Sequence, residues 1–257
     1  MIEVKNLAVK VHEKILLEAI QFQLEKGAHL VIVGPNGSGK STLLKSLLGI
    51  IKKDAGEISL NGKSLAQFSQ RELARLVSYV PQNSGRQLPF EVTDFVKMSR
   101  YAYHSALSDW MPDDQQALED ALRITNTAQF RGRQMTTLSG GECQRVMIAA
   151  ALCQQTPIMM LDEPTSYLDP HHQVEVHQLI TRLNQQLGIT IVEVSHDINH
   201  AGQQGRHVLA LQQGKSLWYG PGQMFLEAER LKALYQQDFV FVTHPNSGRM
   251  VALADPQ

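Results

Sequence analysis

Gly34-Pro35-Asn36-Gly37-Ser38-Gly39-Lys40-Ser41-Thr42 follows the pattern G-x-x-x-x-G-K-[ST] of a phosphate-binding loop. An apolar run, Leu30-Val31-Ile32-Val33, precedes it, and a helical pattern, Leu43-Leu44-Lys45-Ser46-Leu47-Leu48, follows. This strand–loop–helix setting is the context the pattern requires. Glycines let backbone N–H groups turn inward around a phosphate, where a Cβ would obstruct them. A helix starting near Lys40 adds its positive end. Lys40 is placed to reach the β- and γ-phosphates of a nucleotide, and the Ser41 hydroxyl to ligate Mg²⁺.

Outward from the loop, the chain reads first as short strands over residues 2–33. Ile20-Gln21-Phe22-Gln23-Leu24 alternates with period two, and Glu25-Lys26-Gly27 turns into the strand feeding the loop. The loop helix is expected to end near Gly49. Glu57-Ile58-Ser59-Leu60 before Asn61-Gly62 reads as a strand and hairpin turn. Val77-Ser78-Tyr79-Val80 reads as a strand that stops at Pro81. From about 85 to 155 strand signals are sparse, and 91–99, 113–124 and 140–153 read as helices, with Asp113-Asp114 as a start signal. This is a candidate inserted helical lobe. Strands and helices then alternate again: Pro157-Ile158-Met159-Met160-Leu161, a helix over 171–187, and Ile189 to Val194. Such apolar strands imply a mainly parallel, buried sheet. The tail, about 222–257, reads as a helix over 224–236 and a hairpin-like unit around Pro245-Asn246-Ser247-Gly248.

Asp162 ends the apolar strand Ile158-Met159-Met160-Leu161, where an open parallel sheet binds its ligands. There a carboxylate can hold Mg²⁺. Glu163 follows, points differently, and is the candidate general base for an attacking water.

With these two elements in place, Leu138-Ser139-Gly140-Gly141-Glu142, followed by Gln144-Arg145, resembles the signature motif of ABC transporter nucleotide-binding subunits. Its chemistry fits, since a hydroxyl and glycine amides at a helix start form an anion site. The resemblance covers about residues 2–220. It implies an α/β P-loop NTPase fold: a RecA-like parallel-sheet core, an antiparallel β subdomain and the inserted helical lobe, in one ATPase domain over 1–257. It further implies that Gln82 is the Q-loop glutamine, touching either the attacking water or the Mg²⁺ that Ser41 and Asp162 also hold. Ser166-Tyr167-Leu168-Asp169 resembles the D-loop, which implies that Asp169 contacts a partner subunit. His196 resembles the switch histidine on the γ-phosphate. In the family the signature faces ATP held by the opposite subunit, so a C2 homodimer completes two sites. One position departs from the pattern: Val11 stands where an aromatic residue commonly stacks on adenine, with His12 beside it.

Val92-Thr93-Asp94-Phe95-Val96-Lys97-Met98-Ser99-Arg100-Tyr101 resembles the V-x-D-x-V-x-x-G-R stretch of metal-chelate importers, with Ser99 for the glycine. The segment from Leu168 to Val176 resembles that branch too. The implied function is ATP hydrolysis driving import of an iron–siderophore, haem or cobalamin complex. The implied partners are two copies of a polytopic membrane permease and a binding protein. The implied location is peripheral, on the cytoplasmic face of the inner membrane. The competing readings are a soluble ABC-type ATPase, which usually carries tandem halves or added modules, and a P-loop kinase or GTPase, which would lack Ser139-Gly140-Gly141.

Composition agrees. The 257 residues are 43% hydrophobic, enough for a sizeable core, and the formal charge of -1 argues against nucleic acid as a partner. Cys143 and Cys153 match no metal or redox spacing, which suits a reducing compartment. No apolar run reaches the roughly 18–20 residues of a membrane span, and Met1-Ile2-Glu3-Val4-Lys5 does not read as a signal peptide. His171, His172, Glu175 and His177, and His196 with His200 at the same i, i+4 spacing, are not read as metal ligands, since a zinc site needs further convergent ligands and His196 already has the switch role. Met159-Met160 is assigned to the core, and Arg131 and Arg133 to solvated surface.

Overall fold

The computed structural model describes residues 1–82, 88–104, 109–245 and 247–255. The chain forms two compact units, one of Met1–Gln67 with Val192–Gln257 and the other of Phe68–Ile191.

The first unit begins with β1 (Ile2–Val11) and β2 (Lys14–Leu24), paired antiparallel, then β3 (His29–Val33). Over Ile20–Leu24 the buried and exposed positions alternate, as the period-two pattern requires. β3 is buried throughout and runs into the phosphate loop and α1 (Lys40–Leu47). β4 (Ala55–Leu60) and β5 (Lys63–Ser64) flank the turn at Asn61-Gly62, where both residues have positive φ. The resulting antiparallel sheet has the order β2-β1-β4-β5.

The second unit opens with α2 (Gln70–Leu76), absent from the sequence reading, started by a capping box between Ser69 and Glu72. β6 (Val77–Val80) stops before Pro81 as expected. The helices α3 (Val92–Met98), α4 (Pro112–Ile124) and α5 (Gly140–Cys153) follow the expected spans closely. α4 starts earlier than Asp113-Asp114 suggested, because Pro112 takes the first helical position, where its missing N–H costs nothing. β7 (Ile158–Asp162) pairs parallel with β6. Met159 and Met160 lie in the core, as assigned. α6 (Pro170–Leu187) has Asp169 as N-cap, Pro170 first and Gly188 in the left-handed conformation at its end. Its Val176, Leu179, Ile180 and Leu183 form the one buried stripe that packs into this unit's core with α5.

Asp114 is the polar hub of the helical region. Its Oδ2 accepts from the Met111 N–H at 3.0 Å, and its Oδ1 from Arg100 Nε at 2.8 Å. Arg100 also donates to the Cys153 carbonyl and to Gln155 Oε1, and its guanidinium lies 4.1 Å from the centre of the Tyr103 ring. One buried ion pair thus ties the end of α3 to the start of α4 and the end of α5. Burial raises the Asp114 carboxyl, but the Met111 N–H and Arg100 outweigh it and hold it below its ordinary value. Its contribution is therefore present above the ordinary carboxylate range and lost as pH falls through it. Asp114→Asn is expected to cost about 3 kcal/mol by stranding the Arg100 charge. Urea denaturation at neutral pH measures this, and the variant should lose less stability than the parent on acidification.

β8 (Thr190–Val194) carries the chain back to the first unit. Within the second unit the Thr190 N–H donates to the Pro157 carbonyl, and within the first the Ser195 N–H donates to the Ile32 carbonyl, each at 3.0 Å. After α7 (Ile198–Ala201) come β9 (Arg206–Gln212), parallel to β3, and β10 (Lys215–Pro221), antiparallel to β9. The tail differs from expectation. Its single helix is two, α8 (Gly222–Phe225) and α9 (Ala228–Tyr235), broken at Leu226 and the extended Glu227. The break lets Phe225, Leu231 and Leu234 reach one core with Val31, Val33 and Val208. β11 (Phe239–Thr243) and β12 (Met250–Ala254) form the terminal hairpin; of its expected turn, Asn246 lies outside the described residues.

Candidate nucleotide site

The phosphate loop is built by backbone conformation. Gly34, Gly37 and Gly39 have φ of +147°, +77° and +104°, a region that L side chains rarely adopt. A Cβ on Gly39 would meet Leu17 Cδ2 at 2.7 Å and the Leu16 carbonyl at 2.9 Å, so β2 also closes against the loop. Lys40 is buried, and its Nζ donates to the carbonyls of Gly34 at 2.9 Å and Pro35 at 3.1 Å. The ammonium thereby holds the loop's curvature from within. Ser38 Oγ is buried with no hydrogen-bond partner. Gly39, the N-cap of α1, offers no side chain to its first N–H groups, and the first turn carries no acidic residue. A cradle with a buried cation, an unmatched hydroxyl and an uncapped helix start fits a nucleotide phosphate. Pro35 is half-buried; Asn36 and Gly37 are exposed at the rim; Ser41 and Thr42 open α1, half-buried. In the same unit His196 is exposed just beyond β8, and Val11 is 44% exposed at the end of β1.

The second unit assembles the carboxylates. Asp162 is buried at the C-terminal end of β7, where the Tyr79 hydroxyl approaches its Oδ2 at 3.5 Å. Burial, and then the Asp162 charge, push the Tyr79 hydroxyl up to about 12, so it stays a donor. Glu163 follows with φ +50°, left-handed for a non-glycine residue. Gln82 Nε2 donates to Glu163 Oε2 at 2.6 Å and Ser166 Oγ to the same oxygen at 2.8 Å. Gln82 and Glu163, 81 positions apart in the chain, therefore meet in space. Tyr167 is 79% exposed, also with positive φ, and Asp169 is exposed beside it.

The signature begins α5. Leu138 is buried and anchors it. Ser139 is the N-cap: its Oγ accepts from the Glu142 N–H at 3.3 Å, while Glu142 Oε2 accepts from the Ser139 N–H at 2.8 Å. Gly140 and Gly141 form the first turn, and a Cβ on Gly141 would fall 2.1 Å from His172 Cδ2. Arg131 and Arg133 lie at the surface, as assigned, with side chains 40% and 41% exposed, and both are paired there. Arg131 pairs with Glu119, and Arg133 donates to Glu142 Oε1 at 3.3 Å and to the Thr137 carbonyl, bracing the signature. The sequence signal was weak: basic residues nine to twelve positions from their acidic partners share no local periodicity.

Residues 17–166 match the protein family described as "ABC transporter". The chain belongs to the ABC transporter family. Among relatives of this ABC chain, the iron(3+)-hydroxamate import ATP-binding protein of Bacillus subtilis is 34% identical over 249 residues, 97% of this chain and 93% of the relative. The ferric enterobactin transport ATP-binding protein of Escherichia coli is 32% identical over 90% of this chain and 85% of its own length. Among solved structures, a transporter assigned to the metal-chelate type superposes with a TM-score of 0.86 at 28% identity, covering 98% of this chain and 96% of the other. A dimeric ATP-binding cassette bound to ADP and Pi superposes with a TM-score of 0.74 at 27% identity, over 86% of this chain and 98% of that one. The fold expected from the motifs is the fold observed, and the ABC ATPase domain is one that binds and hydrolyses ATP.

Proposed function

We propose that this ABC ATPase drives a bacterial importer of metal chelates of the iron–siderophore, haem or cobalamin class. The observation that carries the reading is the near full-length similarity to ATP-binding proteins named for ferric-chelate import, 97% of this chain in one case. No helix among the described residues is long and apolar enough to cross a membrane, and in this reading the pathway is supplied by a separate permease. The helical region exposes Met98, Tyr101, Trp110 and Met111, apolar side chains of the kind that receive a permease's cytoplasmic segment. The chain then works at the cytoplasmic face of the inner membrane, with two permease copies and a binding protein completing the system.

In this reading two copies of the chain pair head to tail. Lys40 and the loop amides hold the β- and γ-phosphates, and the partner's signature, Leu138 to Glu142, closes on the γ-phosphate. By the family resemblance Ser41, Gln82 and Asp162 would hold Mg²⁺, which would neutralise phosphate charge. Glu163 accepts a proton from the attacking water, and His196 donates to the γ-phosphate as charge develops on it. Asp169 contacts the second copy. Closure on ATP draws the helical regions together, and phosphate release reopens them.

Purifying Glu163→Gln from native membranes with ATP and Mg²⁺, and identifying what stays bound, tests the reading. A co-purifying multi-span permease is expected and identifies the chain that selects the substrate. A soluble partner with no membrane protein would overturn import and favour a soluble ABC-type ATPase.

A further inference from the structure

The first unit contains a buried cluster that the nucleotide chemistry does not use. His29 opens β3, Glu193 lies in the apolar strand β8, and His200 lies on α7. All three are at most 2% exposed. His29 Nε2 and His200 Nε2 converge on one oxygen, Glu193 Oε2, at 3.0 and 3.1 Å. The three ligand-capable atoms lie within 4.8 Å of one another. The other carboxylate oxygen, Oε1, is buried with no hydrogen-bond partner.

Hydrogen bonding alone accounts poorly for this arrangement. Both imidazoles would have to carry their proton on Nε2 and crowd it onto a single oxygen, leaving the second oxygen of a buried carboxylate without a donor. Such a group is costly to bury. A divalent cation resolves both problems. Two imidazole nitrogens and a carboxylate are a donor set suited to Zn²⁺ and Co²⁺, with Oε1 or a water completing four-coordination. With bonds of about 2.0–2.2 Å, tetrahedral ligand atoms stand roughly 3.3 Å apart, close to the two N···O distances seen here.

The surroundings hold His200 in place. Its N–H donates to Asp197 Oδ1 at 2.8 Å, and its carbonyl accepts from Arg206 Nη1. Such outer contacts fix the orientation of metal-ligating histidines. The two histidines at the start of α6 are arranged differently. His171 faces Glu175 at 3.7 Å, and His172 bonds Asp169 at 2.6 Å.

We propose that His29, Glu193 and His200 form a structural site for a Zn²⁺-class divalent cation, stapling the strand that feeds the phosphate loop to the segment that carries His196. The site is independent of ATP, Mg²⁺ and the transported molecule.

The test uses the full chain, stripped with a chelator and titrated with Co²⁺ in the absence of nucleotide and Mg²⁺. One Co²⁺ per chain with the intense visible absorption of four-coordination is expected, displaced by Zn²⁺, together with a rise of about 5 °C in Tm at saturating Zn²⁺. Glu193→Gln should weaken binding at least about 100-fold, while His171→Ala should leave it unchanged. If Glu193→Gln does not fold, His29→Gln and His200→Gln are read in the same way. A wild-type spectrum of weak, water-like cobalt overturns the proposal, as does binding lost in His171→Ala and kept in the buried variants.

Discussion

Glu163→Gln is expected to keep ATP binding and to lose turnover by about 10²–10⁴-fold, the usual range for removing a positioned general base. Position is the reason for choosing this carboxylate over Asp162. Asp162 ends the strand, buried, within reach of a Tyr79 hydroxyl that remains protonated. Glu163 leaves the strand through a left-handed φ of +50°, which turns its side chain away from the path β7 would have continued. That conformation costs about 1–2 kcal/mol, a cost that concentrates at working sites. Gln82 and Ser166 both donate to Oε2, which fixes the carboxylate's orientation. Glutamine preserves the shape and one acceptor but cannot take a proton, so stability should change little. Steady-state phosphate release and equilibrium binding of ATP separate the two effects. With ATP and Mg²⁺ the variant should also elute as a dimer in size exclusion, because closure precedes the blocked step. Undiminished hydrolysis would remove Glu163 from the role.

Much of this site was legible because it consists of local signals. The phosphate loop is nine consecutive residues between a strand and a helix, and Asp162-Glu163 is a strand end. Ser139 three residues before Glu142 is a capping box readable from spacing alone, and the structure makes both of its bonds. What escaped the sequence are contacts between distant residues. Asp114 reads as one of two acids at a helix start, and nothing local says that it meets a buried Arg100. His29 and Glu193 are 164 positions apart. Their one trace is Glu193 itself, a charge inside Ile191-Val192-Glu193-Val194, which a buried strand tolerates only with partners. The broken tail helix escaped for a related reason. Residues 224–236 are helix-compatible locally, and the break at Leu226 is set by the core that Phe225 and Leu231 share.

The second large effect concerns the loop's first glycine, and a neighbouring glycine supplies the control. Gly34 leaves β3 with φ +147°, and a Cβ there would stand 2.1 Å from the Leu211 carbonyl oxygen and 2.8 Å from Ser38 Oγ. Leu211 belongs to β9, which pairs with β3 one position earlier through Ala210 and Val33, so that carbonyl is fixed by the sheet. The Leu211 carbonyl cannot move without opening β9, whereas the Ser38 hydroxyl is a side-chain atom that can turn aside, so the clash with the carbonyl decides the cost. Gly37 has φ +77° but nothing within 4 Å of its would-be Cβ. Gly37→Ala therefore meets only the left-handed penalty, about 1–2 kcal/mol. Gly34→Ala adds overpacking against backbone and should cost about 3–5 kcal/mol in all. The same displacement would pull the Gly34 carbonyl from Lys40 Nζ, which it accepts at 2.9 Å. ATP affinity should fall with stability in Gly34→Ala, because one atom's position serves both. Urea midpoints and ATP binding for the two variants decide the matter. Equal stabilities would mean that the approach of β9 to the loop is loose, and that the phosphate cradle owes its shape to φ alone.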